Sequence, residues 1–249
     1  MTEYHDMPIG KIVAENLSLA ALFERYGLDY CCHGQQSLSE ACGKHGLDLA
    51  QVSAEMAAVD ASPRSGAPEL RPLGIDELSR HIVAVHHTFT KRMLPSVAAH
   101  FATVVRVHGG HHPELAALEA SFGALRDELS MHLLKEEEVL FPYLEALAAA
   151  VKNRGSRPEA CFAEVSQPIA EMMKEHETAG AVLDQMHAET RGFQPLADAC
   201  NTYRLLFKEL ADLEQDLHRH IALENYLLFP RAVELEKTLA GCQPPASNH

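Results

Sequence analysis

The sequence predicts an all-α protein, an up-down-up-down four-helix bundle preceded by a small helical module. Three observations predict it. Four long amphipathic stretches, roughly 74–107, 112–149, 167–190 and 198–238, carry apolar residues at helical period. Breakers separate them: Gly109-Gly110, then Asn153 to Pro158, then Gly192 to Pro195. Alternating strand patterns and Asn-Gly hairpin signals are absent. Long helices joined by short connections pack as antiparallel neighbours.

Taken in order, residues 1–60 read as a small module of short helices. Asn16 is placed to cap a helix through Tyr26, and Ser37-Leu-Ser-Glu40 has the form of a capping box opening the next helix. The stretch from Asp60 to Pro72 holds three prolines and a glycine, so residues 61–73 read as a linker. The bundle follows over 74–240, with Pro95 as a candidate kink in its first helix. Residues 241–249 read as a flexible tail.

The second and fourth stretches repeat one motif. His132-Leu-Leu-Lys-Glu136-Glu-Glu-Val-Leu-Phe-Pro142 and His220-Ile-Ala-Leu-Glu224-Asn-Tyr-Leu-Leu-Phe-Pro230 both read H-x-x-x-E-x-x-x-L-F-P. A His and a Glu four apart share one helix face, one turn above the other. In antiparallel helices, residues equidistant from a turn share a height. The midpoint of His87 and His132 falls at Gly109-Gly110, that of His132 and His176 at 154, and that of His176 and His220 at 198. Each midpoint lies at or near a turn assigned independently. Four histidines, one per helix, are therefore expected in one layer, with Glu136 and Glu224 one turn away. His86 satisfies the rule nearly as well as His87, and spacing alone does not separate them. His108, His111 and His112 cluster at the first turn. At 1.5 Å per residue, His108 is about 30 Å along the helix from His87, so these read as solvated turn residues. Of Glu136, Glu137 and Glu138, Glu136 alone shares the face of His132.

Burying so many polar groups without a cation or full hydrogen bonding costs several kcal/mol. Imidazole and carboxylate from facing helices are how bundles build two-metal sites. Six ligands, His87, His132, Glu136, His176, His220 and Glu224, suit two ions bridged by the glutamates. Zinc usually settles for one tetrahedral set. Two iron ions, non-haem and carboxylate-bridged with an oxo or hydroxo bridge, fit best, with manganese or a mixed pair as alternatives. Open positions on such ions would accept a diatomic such as O2 or NO.

Composition narrows the function. A formal net charge of −14 with no basic cluster argues against nucleic acid or an anionic membrane as partner. No apolar run reaches the roughly 20 residues a membrane helix needs, and the first residues lack a secretory pattern, so a cytoplasmic protein is expected. Six cysteines in a reducing compartment are not a disulfide framework. Cys31 and Cys32 precede the capping box, where the positive end of a helix would lower a thiol pKa. Adjacent cysteines bridge only through a strained ring, so no structural disulfide between them is expected, and the pair by itself reads either as two small buried apolar residues or as candidate redox thiols. Cys42, Cys161, Cys200 and Cys242 have no partner spacing. No nucleophile–base pair, phosphate loop or dinucleotide fingerprint is present.

From about 74 to 238 the chain resembles the hemerythrin-like domains, whose H…HxxxE…H…HxxxE order is matched by His87, His132, Glu136, His176, His220 and Glu224. The family's oxygen carriers have one more histidine, four residues on in the third helix. Gly180 stands there, which argues against simple O2 carriage. Ile12 to Asn16, Phe23 to Gly27, Asp29-Tyr-Cys-Cys-His-Gly34 and Ser37 to Cys42 resemble the double-cysteine domain preceding such bundles in the iron–sulfur cluster repair (RIC) family. The longer Ala150–Glu164 connection departs modestly from that pattern. The resemblance implies repair of clusters damaged by nitrosative or oxidative stress, by supplying iron to iron–sulfur proteins as clients, with Cys31 and Cys32 handling thiol redox chemistry, NO, or iron passing to or from the bundle. Two alternatives stand beside it: a protein that binds or reduces nitric oxide in nitrosative stress or denitrification, and an O2 or NO sensing module. The double-cysteine module could dock on its own bundle or on a second chain as a homodimer.

Overall fold

The computed structural model describes residues 4–61 and 70–240. Residues 62–69, the centre of the expected linker, lie outside the described residues, as does the expected tail, with Cys242. The described residues are helical apart from loops and one isolated antiparallel bridge, Pro8 to Ser37. Among the described residues, no helix is long and apolar enough to cross a membrane.

The helices are α1 Ile9–Glu15, α2 Ala20–Arg25, α3 Leu38–His45, α4 Leu49–Ala61, α5 Ile75–Ile82, α6 Thr88–His108, α7 Glu114–Lys135, α8 Phe141–Lys152, α9 Ser166–Glu189, α10 Asn201–Leu223 and α11 Phe229–Ala240. Three π-turns, Val83–His87, Glu136–Leu140 and Glu224–Leu228, join α5 to α6, α7 to α8 and α10 to α11. The four long stretches read from sequence are thus present, three of them with one loosened turn. Pro95 lies inside α6, and the helix continues through it.

By contacts the chain forms two compact units. One comprises residues 81–141 and 170–217, and is a set of four helix segments around an apolar core. Leu115, Leu118, Phe122, Leu125 and Leu129 of α7 pack with Val97, Phe101 and Val104 of α6 and with Leu183, Met186, Leu206, Phe207, Leu210 and Leu213 of α9 and α10. Phe101 and Phe122 meet with ring centroids 5.3 Å apart. The histidines of the first turn are not simply solvated. His108 Nε2 lies 3.2 Å from Cys200 Sγ, and His112 Nε2 lies 3.0 Å from Asp198 Oδ2. Hydrogen bonding to Asp198 raises the His112 pKa above the ordinary imidazole value. Both partners are near 200, which no local spacing could reveal.

The other unit comprises the described residues within 4–80, 142–169 and 218–240. Its core joins Ile9, Ile12, Leu19, Phe23, Leu38, Val52 and Met56 with Ile221 and Ala222. The small module is therefore packed on its own chain. Asn16 caps as expected, its side chain accepting from Ser18 N–H, but it opens the 3-10 turn Leu17–Leu19, and α2 follows separately. The Ser37–Glu40 capping box is formed in both directions, and Gly46 ends α3 in the left-handed region, where a side chain would be strained.

In the same unit, Glu236 of α11 pins the long connection after α8. Its carboxylate accepts from Tyr143 Oη, Arg157 Nε and Val165 N–H. Glu236 is buried, and removing it would strand a buried backbone N–H and an arginine. Glu236→Ala is expected to cost about 2 kcal/mol in unfolding free energy, measured by urea denaturation. An unchanged midpoint would show that the connection holds without it.

Candidate metal centre

The site residues continue the core stripes of their helices. On α7 the buried positions run Leu115, Leu118, Phe122, Leu125, Leu129, His132 and Glu136. On α10 they run Tyr203, Leu206, Leu210, Leu213, Leu217, His220 and Glu224. Steps of three and four keep one face of a helix pointing inward, so the imidazoles and carboxylates arrive where leucines would otherwise stand. His176 continues the stripe of α9 between Met172 and Ala179.

Beyond the glutamates one series of buried residues steps by four, Glu136, Leu140, Leu144 and Glu224, Leu228, Ala232, beside the equally buried Phe141, Tyr143, Leu227 and Phe229. Each step of four drifts about 40° around an ideal helix, and three in succession would turn the last residue well off the stripe. The π-turns absorb the drift. Phe141 N–H donates to Glu136 O and Phe229 N–H to Glu224 O, each five residues back. Proline follows in both copies and has no N–H to continue the ladder. The L-F-P half of the motif thus marks a loosened turn beginning at each glutamate, a feature common at functional sites. The sequence reading took both segments as plain α-helix and missed it.

The ligand atoms of His87, Glu136, His220 and Glu224 all lie within 4.8 Å of one another, and so do those of His132, Glu136, His176 and Glu224. All six residues are buried. Both groups contain both glutamates. Glu136 Oε2 stands 3.3 Å from His87 Nε2 and 3.4 Å from His132 Nε2, His176 Nε2 is 3.1 Å from His132 Nε2, and His220 Nε2 is 2.9 Å from Glu224 Oε1.

Two carboxylates outside the groups orient the imidazoles. His87 Nδ1 lies 2.7 Å from Glu137 Oε1, and His132 Nδ1 lies 2.8 Å from Glu175 Oε2. Burial pushes the Glu137 carboxyl up, but Lys91 and then His87 outweigh it and hold it below the usual range. Lys135 and His132 do the same for Glu175. Both are therefore anionic acceptors for an Nδ1 proton, which turns each Nε2 lone pair inward. His87 also stacks on Phe141, ring centroids 5.5 Å apart. Glu138 is exposed, whereas Glu137 is half-buried between His87 and Lys91. Glu175 carried no signal beyond adjacency to His176.

Geometry separates the two histidines that spacing could not. His87 joins the metal-type group, whereas His86 turns its Nδ1 to Asp216, 3.0 Å away. The donor set fits a pair of cations. Two nitrogens bound to one ion at about 2.1 Å and a right angle stand about 3.0 Å apart, close to the spacing of the His132 and His176 Nε2 atoms. Oxygen and nitrogen donors without thiolate suit iron or manganese.

The cysteine pair is elsewhere, in the loop between α2 and α3. Cys31 is buried and Cys32 half-buried, with sulfurs 3.5 Å apart. The expected lowering of a thiol pKa is overturned for Cys31. The hydrogen bond to Cys32, burial, and the negative charge of Cys32 and Asp29 push it well above the ordinary thiol value. The thiol is thus raised although the eight-residue α3 begins at Leu38, a few residues on. The loop is clamped to the third π-turn. Asn225 Nδ2 donates to Cys31 O at 3.4 Å, and the Tyr226 ring sits against Gly10 and Gly34, where a Cβ at Gly10 would approach it to 2.2 Å.

Comparison with known proteins agrees with this arrangement. Residues 78–232 match the hemerythrin HHE cation binding domain, a type that binds a di-iron centre, and residues 5–60 match a domain of unknown function, ScdA_N. The chain is 34% identical over 230 residues to the iron–sulfur cluster repair protein YtfE of Edwardsiella ictaluri, covering 92% of this chain and 98% of that protein. It is 33% identical over 234 residues to the protein of that name from Cronobacter sakazakii, covering 94% and 99%. The relative from Musicola paradisiaca is 34% identical over 233 residues, again covering 94% and 99%. With both domains matched in order and the similarity running through nearly the whole chain, this protein belongs to the family of the proteins named iron–sulfur cluster repair protein YtfE, and carries their hemerythrin HHE domain.

Proposed function

We propose that this protein restores iron–sulfur clusters damaged by nitrosative or oxidative stress, drawing on an iron pair in the bundle. The observation that carries the reading is similarity across 92% of this chain to a relative named for that repair. It is supported by two buried His/Glu groups. His87 and His220 would hold one iron, His132 and His176 the other, with Glu136 and Glu224 shared. Iron bound there would supply transferable metal and redox chemistry. Two imidazoles per iron and shared carboxylates leave positions for small exogenous ligands, NO and O2 among them. The proposed clients are iron–sulfur proteins, and the proposed setting is the cytoplasm.

The chain's own residues set how tightly iron is held. Glu137 and Glu175 fix the tautomer and aim of His87 and His132, and outer carboxylates of this kind typically contribute 10- to 100-fold in metal affinity. Glu137→Ala and Glu175→Ala are each expected to weaken iron binding by about 10-fold or more, read by competition against a chelator. Equal retention by wild type and both variants would remove them from the site.

The function is tested with a [4Fe–4S] hydratase inactivated by nitric oxide. Iron-loaded protein is expected to restore its activity without added iron, and apo-protein to fail. Equal restoration by the apo form overturns iron supply. Turnover of NO to N2O with no restoration overturns repair in favour of NO reduction.

A further inference from the structure

A third convergence of ligand atoms lies outside the bundle groups. Asp29, Cys31 and Cys32 offer a carboxylate oxygen and two sulfurs within 4.8 Å of one another. The loop presents them in a fixed shape. Asp29 Oδ1 accepts from Cys31 N–H at 3.1 Å, from Cys32 N–H at 3.0 Å and from the Cys31 thiol at 3.2 Å. Asn225 holds the Cys31 carbonyl, and Gly34 has no room for a side chain: a Cβ there would stand 2.2 Å from Tyr30 O. Two thiolates on one tetrahedral ion, each at about 2.3 Å, stand about 3.8 Å apart. The sulfurs are already 3.5 Å apart, so binding needs little movement. Asp29 and Cys32 are half-buried, and the exposed His33 places its Nδ1 2.5 Å from Asp29 Oδ2, so a cation would displace that contact or share the carboxylate with it.

We propose that Asp29, Cys31 and Cys32 form a second metal site, for a single thiophilic divalent cation such as Fe2+, Zn2+ or Co2+. Thiolate donors select that class, and the bundle groups contain none. Binding forms two metal–sulfur bonds and one metal–oxygen bond, and the two thiol protons leave to solvent with no change of oxidation state. Three protein ligands leave the fourth tetrahedral position to water or an incoming ligand, the pattern of sites that exchange ligands, whereas structural sites are closed. The site is independent of the repair reading, and its test reads metal binding alone.

The experiment is an anaerobic Co2+ titration of the full-length protein with its bundle already loaded with iron. Imidazole and carboxylate ligands give no thiolate-to-cobalt charge-transfer absorption, so the band reports sulfur ligation. The expected result is a band saturating at about one equivalent. It is lost in Cys31→Ser and Cys32→Ser, and kept when Cys161 and Cys200 are both changed to Ser. Asp29→Asn retains an oxygen to accept the two backbone amides but removes the charge, and is expected to weaken Co2+ binding by about 10-fold. Cys31 is buried and its variant could fail to fold. Cys32→Ser and Asp29→Asn, with circular dichroism matching wild type, keep the test decisive. No band in wild type, a band surviving Cys32→Ser, or unchanged affinity in Asp29→Asn overturns the site.

Discussion

Protein purified without air is expected to carry about two irons per chain, and substitutions of two kinds should reduce that number differently. Glu224 belongs to both four-residue groups, so Glu224→Ala should empty both positions. His132 belongs to one, so His132→Ala should cost about one iron and leave the other. The asymmetry follows from which atoms converge, and a structural role for the same residues would not produce it. Metal analysis read beside Mössbauer spectra checks it. Loss of iron should also lower the midpoint of thermal unfolding, because a ligand held by the native state alone stabilises it by mass action. Equal iron in wild type and both variants would mean that the buried histidine layer is structural.

Gly10→Ala and Gly34→Ala should destabilise the protein, and for different reasons. A Cβ at Gly10 would meet the Tyr226 ring at 2.2 to 2.5 Å, whereas one at Gly34 would meet the Tyr30 carbonyl oxygen at 2.2 Å and Gly10 Cα at 2.7 Å. Overpacking of this kind costs about 1–3 kcal/mol. The Gly10 clash is with a side chain, so Tyr226→Ala should relieve it, and the double variant should be more stable than additivity predicts. The Gly34 clash is mainly with backbone, and Tyr226→Ala should leave its cost in place. Urea unfolding of wild type, the three single variants and the two double variants that carry Tyr226→Ala checks both statements. Absence of coupling between positions 10 and 226 would mean that the ring moves away freely.

Much of the site was legible in the chain because it is written in helical periods. A His and a Glu four apart share a face wherever the helix lies, and reflection about three turns placed His132, His176 and His220 without tertiary information. The small module was legible where its signals were local: the Ser37–Glu40 box is closed by residues three apart. The π-turns were half legible, since Leu, Phe and Pro recur in both copies but their meaning lies in backbone hydrogen bonds that no residue type dictates.

The sequence by itself determined the helices, their order and the residue types at the candidate centre, because backbone periodicity and capping act over a few residues. Tertiary structure decided what depends on residues far apart in the chain. It chose His87 over His86, since Glu136 and Asp216 approach from other helices. It gave Glu137 and Glu175 their histidines. It reversed the expectation for Cys31, where the hydrogen bond to Cys32, burial and the charges of Cys32 and Asp29 raise the thiol pKa. It also brought Asn225 and Tyr226 onto the cysteine loop about 190 residues earlier in the chain. Contacts of that separation follow from how apolar faces pack, and packing is a property of the assembled surfaces that no local stretch contains.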